Sequence, residues 1–72
     1  MNKLTVLEGN VADGRISSAW TVYHDIKHVL SLHVRGIIRD AIRARKIELE
    51  GGMLSKRKQE IVESFHSLFK KM

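Results

Sequence analysis

The chain has no cysteine and no proline among its 72 residues. Without cysteine there is no disulfide to stabilise a small fold and no thiolate for a structural zinc site. Without proline, we expect glycine to break the regular elements. A chain this short buries only about 60–65 % of the surface that its unfolded form exposes. We therefore expect it to gain stability by associating with a second copy.

Long apolar runs are also absent from the sequence. No stretch approaches the roughly 20 apolar residues of a transmembrane helix, and the N-terminus lacks the basic start and apolar region of a signal peptide. We expect a cytoplasmic protein with no membrane contact. Enzyme chemistry has little support, because there is no glycine-rich nucleotide loop and no recognisable Ser-His-Asp arrangement. We expect no catalytic residue, no cofactor and no metal.

The first fifteen residues differ from the rest of the chain. A short alternation of apolar and polar residues is followed by turn-forming residues between positions 9 and 14. This pattern predicts an extended or flexible arm over 1–15, ahead of a helical hairpin domain over 16–72. The alternative is a β-hairpin that pairs residues 3–7 with 16–23, because Asp13-Gly14 is a hairpin turn signal.

Residues 16–48 carry an apolar stripe whose members are spaced by three and four. At about 100° per residue they lie on one face of a helix, which predicts one long helix over about 17–49 that ends at Gly51-Gly52. Gly36 lies inside this helix, so a kink or break near residues 33–36, giving three helices, remains an alternative. The stripe comprises Ile16, Ala19, Tyr23, Ile26, Leu30, Val34, Ile37, Ala41, Ala44 and Ile47.

A second amphipathic helix is predicted over about 55–71, and the short loop before it makes the pair an antiparallel hairpin. The fold class is therefore all-α. A helix of about 26 Å can cover only the C-terminal half of a helix of almost 50 Å. The uncovered half predicts a dimer or partner interface, so that two chains form a helical bundle. The residues of this interface are Trp20, Tyr23, Ile26 and Leu30.

The charge balance is basic, with 13 Lys and Arg against 8 Asp and Glu and a formal net charge of +5. Evenly spaced cations on one side of a helix can follow a phosphate backbone. The alternative interpretation is an ordinary solvated helix face. The predicted nucleic-acid-binding residues are the stripe Arg35, Arg39, Arg43 and Lys46, together with the cluster Lys56, Arg57 and Lys58 at the start of the second helix.

His24 and His28 have the i, i+4 spacing of metal ligands, but no third ligand is evident, so we interpret them as polar-face residues. The leading functional prediction is a small dimeric regulator that binds the phosphates of nucleic acid. The alternative is a protein–protein interaction module, an adaptor or inhibitor that docks its hairpin on an acidic or apolar partner. A helix-turn-helix would require the break near Gly36, with Arg39, Arg43 and Arg45 on the reading helix.

Overall fold

A computed structural model describes residues 2–70 of the chain, and in that range it contains four α-helices, one short 3-10 helix and no β-strand. The all-α prediction is confirmed, and the alternative β-hairpin is wrong. Residues 1, 71 and 72 lie outside the described range, as does the predicted end of the last helix at 71. The elements are α1 (Lys3–Ala12), α2 (Ile16–Ile26), the 3-10 helix (Lys27–Val29), α3 (Leu32–Leu49) and α4 (Lys56–Lys70).

The predicted N-terminal arm is instead the helix α1. The side chain of Asn2 caps this helix, since its oxygen accepts a hydrogen bond from the Leu4 backbone N–H at 2.9 Å. Leu7 and Val11 are four residues apart and both are buried, so packing along one helical face outweighs the turn propensity of the intervening residues. The turn chemistry comes into use only after Ala12, where Gly14 adopts a φ of +77°.

The predicted long helix is interrupted between α2 and α3, not near Gly36. The 3-10 helix follows Ile26, and Leu30 then adopts an extended backbone. Ser31 starts α3 by accepting a hydrogen bond from the Val34 N–H at 3.2 Å. One continuous helix over 17–49 is therefore wrong, and Gly36 lies within α3. The longest dimension of the protein is 31 Å, which is shorter than the roughly 50 Å of the predicted single helix.

The core lies where all four helices meet. Helix α1 contacts α2, α3 and α4, while α3 packs against both α2 and α4. The face of α2 that was predicted to be uncovered is thus packed by other helices of the same chain. The buried cluster consists of Leu7, Val11, Ala19, Tyr23, Ile26, Ile38, Ala41, Ile42 and Phe65.

Helix α4 lies close to where the sequence predicts it. Ser55 precedes it and accepts a hydrogen bond from the Lys58 N–H at 3.3 Å. The loop before it turns at Gly51, whose φ is +84°. The antiparallel hairpin and its dimer stay predictions. Across the described residues, every helix is too short or too polar to span a lipid bilayer.

Candidate nucleic-acid-binding surface

The predicted basic stripe on α3 divides into residues with different surroundings. Arg35 is half-buried, and its Nε donates a hydrogen bond to the Leu30 carbonyl at 3.1 Å, so it stabilises the junction that precedes α3. Arg39, Arg43 and Lys46 are exposed. Positions four apart on a helix are offset by about 40°, so the stripe turns around α3. Arg39 and Arg43, in its middle, are the members that line surface grooves.

The first of these grooves lies between α2 and α3 and combines aromatic and basic side chains. We call it the aromatic groove; its volume is about 410 Å³. The rings of Trp20 and His24 stack in it, with 6.0 Å between centroids and 26° between planes. Tyr23 meets Trp20 edge to face at 5.7 Å and 79°. The lining residues are Trp20, Tyr23, His24, Lys27, Arg39 and Arg43.

The second groove lies between α3 and α4, and we call it the α3–α4 groove. It has a volume of about 440 Å³ and is lined by Arg43, Arg57 and Lys58, with Asp40 as its acidic residue and Ile47 and Ile61 among its apolar ones. Arg43 lines both grooves. It therefore connects the two into one strip of positive charge, the cationic strip, which consists of Lys27, Arg39, Arg43, Arg57 and Lys58.

The cations of this strip have no carboxylate partner among the residues that the structure describes. The Lys and Arg ion pairs found there join other residues, Lys3 with Asp25 and Arg45 with Glu48. The carboxylate of Glu8 lies beside His66. The pair between Lys3 and Asp25 is the nearest in sequence to the aromatic groove. It neutralises a carboxylate that would otherwise compete with phosphate for the cations. The Lys3 ammonium donates a hydrogen bond to the Asp25 carboxylate and, with its charge, holds the pKa of Asp25 below its ordinary value.

The structure places the predicted partner-interface residues in two environments. Tyr23 and Ile26 are only 4 % and 8 % exposed and belong to the core. Trp20 and Leu30 are half-buried at its edge. The reason is α1, whose Leu7 belongs to the same buried cluster. A second copy of the chain is therefore not needed to cover these residues.

Two of the predicted binding residues lie outside both grooves, and two residues that line the aromatic groove were not predicted from the sequence. Lys46 and Lys56 are exposed but line neither groove. Lys27 and His24 line the aromatic groove, although neither was predicted to bind nucleic acid. Helical periodicity gave no signal for this placement, because His24 and Arg39 would be about 22 Å apart along one straight helix. The contribution of Lys27 depends on the break after Ile26, which the apolar stripe does not reveal.

The histidines do not form a metal centre within residues 2–70. No three side chains of the metal-ligating types cluster there, and His24 has an aromatic neighbour in Trp20. His66 lies elsewhere, with Nδ1 3.8 Å from a carboxylate oxygen of Glu8. It thus joins α4 to α1 and takes no part in the cationic strip.

Comparison of the chain with protein-family models, with curated proteins and with solved structures finds no match.

Proposed function

We propose that this protein binds nucleic acid, with the cationic strip contacting the phosphate backbone. The observation that carries the proposal is the position of Arg43, which lines both the aromatic groove and the α3–α4 groove. Through it, cations from three parts of the chain form a single path. Guanidinium groups match phosphate geometry in a bidentate fashion, and each neutralised phosphate releases condensed counterions.

The electrostatic setting supports this proposal. The chain has a formal charge of +5, and the strip contains five cations that carry none of the ion pairs of the described residues. Binding to phosphate therefore does not require an existing ion pair to break. The sequence predicts a dimeric regulator. Because α1 covers the face of α2 that suggested the dimer, a single chain already presents the whole cationic strip.

A second candidate is a protein–protein interaction module, and a different surface favours it. Val29 and Leu32 are 71 % and 80 % exposed, and they lie on either side of the break between α2 and α3. Exposed apolar residues of this size occur at docking surfaces. In this candidate they replace Tyr23 and Ile26 as the contacts, because those two side chains are buried.

Charge-matched double variants separate a defined strip from general positive charge. The test variant is R39Q/R43Q, which removes two cations of the strip. The control is R15Q/K46Q, which removes the same charge at two exposed residues outside both grooves. Binding of labelled oligonucleotides, single-stranded and duplex, is measured by fluorescence anisotropy over about 50 to 200 mM salt.

The wild-type affinity should fall linearly with salt on a logarithmic plot, with a slope of about −0.7 per phosphate contact on single strands or −0.9 on duplex DNA. R39Q/R43Q should bind more weakly and with a slope shallower by about two contacts' worth. R15Q/K46Q should stay close to wild type. Equal losses in the two variants, or no binding at low salt, would contradict the proposal. Absence of binding would favour the interaction module.

A further inference from the structure

We infer that the aromatic groove takes an unpaired base, so that the nucleic acid this protein prefers is single-stranded. This inference rests on the proposed function and adds to it the class of nucleic acid. The observation that supports it is that Trp20 and His24 line the same groove as Arg39 and Arg43. The α3–α4 groove has cations but no aromatic lining residue, so it suits phosphate alone.

The Trp20 ring is held as a fixed platform. Its plane is 26° from that of His24, with 6.0 Å between the ring centroids, so the two rings are roughly parallel within the groove. Tyr23 touches Trp20 edge to face and is itself buried in the core. Because Trp20 also packs against the core cluster, its orientation is set before any ligand arrives, and ordering this ring on binding costs little.

Three cations line the same groove as the Trp20 ring. Lys27 lines the groove from the 3-10 helix, while Arg39 and Arg43 line it from α3. A volume of about 410 Å³ is of the size found for small-ligand sites. Aromatic platforms beside cations are the usual means of binding single strands, because every base has a π face.

A duplex cannot use this groove in the same way. Its bases are stacked on their neighbours, and only their edges face the grooves of the helix. Duplex DNA could still contact the exposed cations, but Trp20 would contribute nothing to its affinity. A single strand could place one base on Trp20 and extend its backbone past Arg43 toward Arg57 and Lys58.

Trp20 is the one tryptophan of the chain, so its fluorescence reports directly on this groove. We would titrate the protein with a thymidine single strand and with a duplex of matched length, following tryptophan quenching and the anisotropy of labelled strands. The single strand should quench the fluorescence and bind more tightly. An RNA single strand should behave like the DNA one, since stacking does not require the 2′-hydroxyl.

The variant W20L should weaken single-strand binding by about 5- to 150-fold, the range expected from the loss of one base stack. Its salt slope and duplex affinity should match wild type, because the cations remain. W20F keeps an aromatic face and should retain most of the single-strand affinity. His24 is exposed, so H24A should keep its fold and lose less affinity than W20L. Thermal unfolding of each variant shows whether the fold is intact.

Equal affinity for single strand and duplex, with W20F no better than W20L, would overturn the inference. So would single-strand binding without tryptophan quenching. Neither result contradicts the proposed function, because R39Q/R43Q would still weaken both kinds of nucleic acid. If R39Q/R43Q instead binds as well as R15Q/K46Q, the cationic strip itself is not the binding surface.

Discussion

Replacing Arg45 with methionine should loosen α1 more than any other helix. Arg45 lies on α3, and its side chain reaches the C-terminal end of α1. Its Nε donates a hydrogen bond to the Val11 carbonyl and its Nη2 donates to the Ala12 carbonyl, both at 3.2 Å. The Ala12 carbonyl is in the last turn of α1, where helix carbonyls lack an intrahelical partner. The Val11 carbonyl also accepts a hydrogen bond from the Gly14 N–H at 3.2 Å. A positive charge at this end of a helix is also favoured by the macrodipole.

The size of the effect follows from the two hydrogen bonds and their exposure. A typical intramolecular hydrogen bond contributes about 0.5–1.5 kcal/mol net. The Arg45 side chain is 32 % exposed, so water can replace part of the lost bonding. We expect R45M to lower the free energy of unfolding by about 1–2 kcal/mol. For a domain of this size, each kcal/mol corresponds to about 4–8 °C in melting temperature.

The matched control is R43M, two residues earlier on the same helix. Arg43 is exposed and its side chain makes no hydrogen bond within the described residues. It therefore reports the effect of losing one charge and changing helix propensity on α3. Melting is followed by far-UV circular dichroism. Amide hydrogen exchange then locates the effect, because the rise in exchange in R45M should be larger for backbone groups of α1 than for those of α4.

The prediction is contradicted if R45M and R43M melt at the same temperature and the amides of α1 exchange equally in both. That result would mean that α1 is held by its apolar contacts alone. A rise of the same size in all four helices, with no additional rise in α1, would also contradict the prediction, because the lost hydrogen bonds are at the end of α1.

Substitutions at two glycines should act in opposite directions. Gly36→Ala should raise the free energy of unfolding by about 0.5–1 kcal/mol, and with it the melting temperature. A Cβ at this position meets nothing within 4 Å, and the residue is inside α3. Gly14→Ala should lower the free energy of unfolding by more than about 1 kcal/mol, because Gly14 has a φ of +77° and a Cβ would lie 3.1 Å from the Leu49 side chain; either prediction is refuted if its variant melts at the wild-type temperature. At acid pH, Lys3→Gln should raise the pKa of Asp25 toward its ordinary value, which NMR titration of the carboxyl measures. Since Lys3 lowers the pKa of Asp25 in the fold, the pair stabilises the protein above about pH 4 and that contribution is lost as the pH falls through the folded pKa. The variant should therefore lose less stability on acidification.

The helical class and the position of α4 follow from apolar periodicity, but the breaks do not. The stripe continues from Ile26 through Leu30 to Val34 across the end of α2 and the start of α3. The 3-10 turn keeps Leu30 against the core cluster, so the spacing of apolar residues hides the interruption. Ser31 was the local signal, because its side chain caps α3, yet a serine is common enough that its role depends on tertiary packing.

For α1 the error was the opposite one: a helix was present where the sequence predicted none. Gly9 and the turn residues around it have poor helix propensity, and they indicated a loop. Leu7 and Val11 nevertheless lie on one face and are almost fully buried, and burial of two such side chains contributes about 3–6 kcal/mol. That exceeds the cost of about 1 kcal/mol for a glycine within a helix. Local propensity therefore could not predict α1, because the partner surfaces on α2, α3 and α4 are distant in sequence.

The break after Ile26 also determines the candidate site. In one straight helix, Trp20 and Arg43 would be 23 positions apart, or about 35 Å, and no base could contact both. Folding α2 back on α3 brings the two side chains into one groove. The basic residues were identifiable from spacing, but their position beside Trp20 was not. If the aromatic groove binds a base, then lengthening the connection at Val29 or Leu30 should weaken single-strand binding while leaving the charge of the protein unchanged.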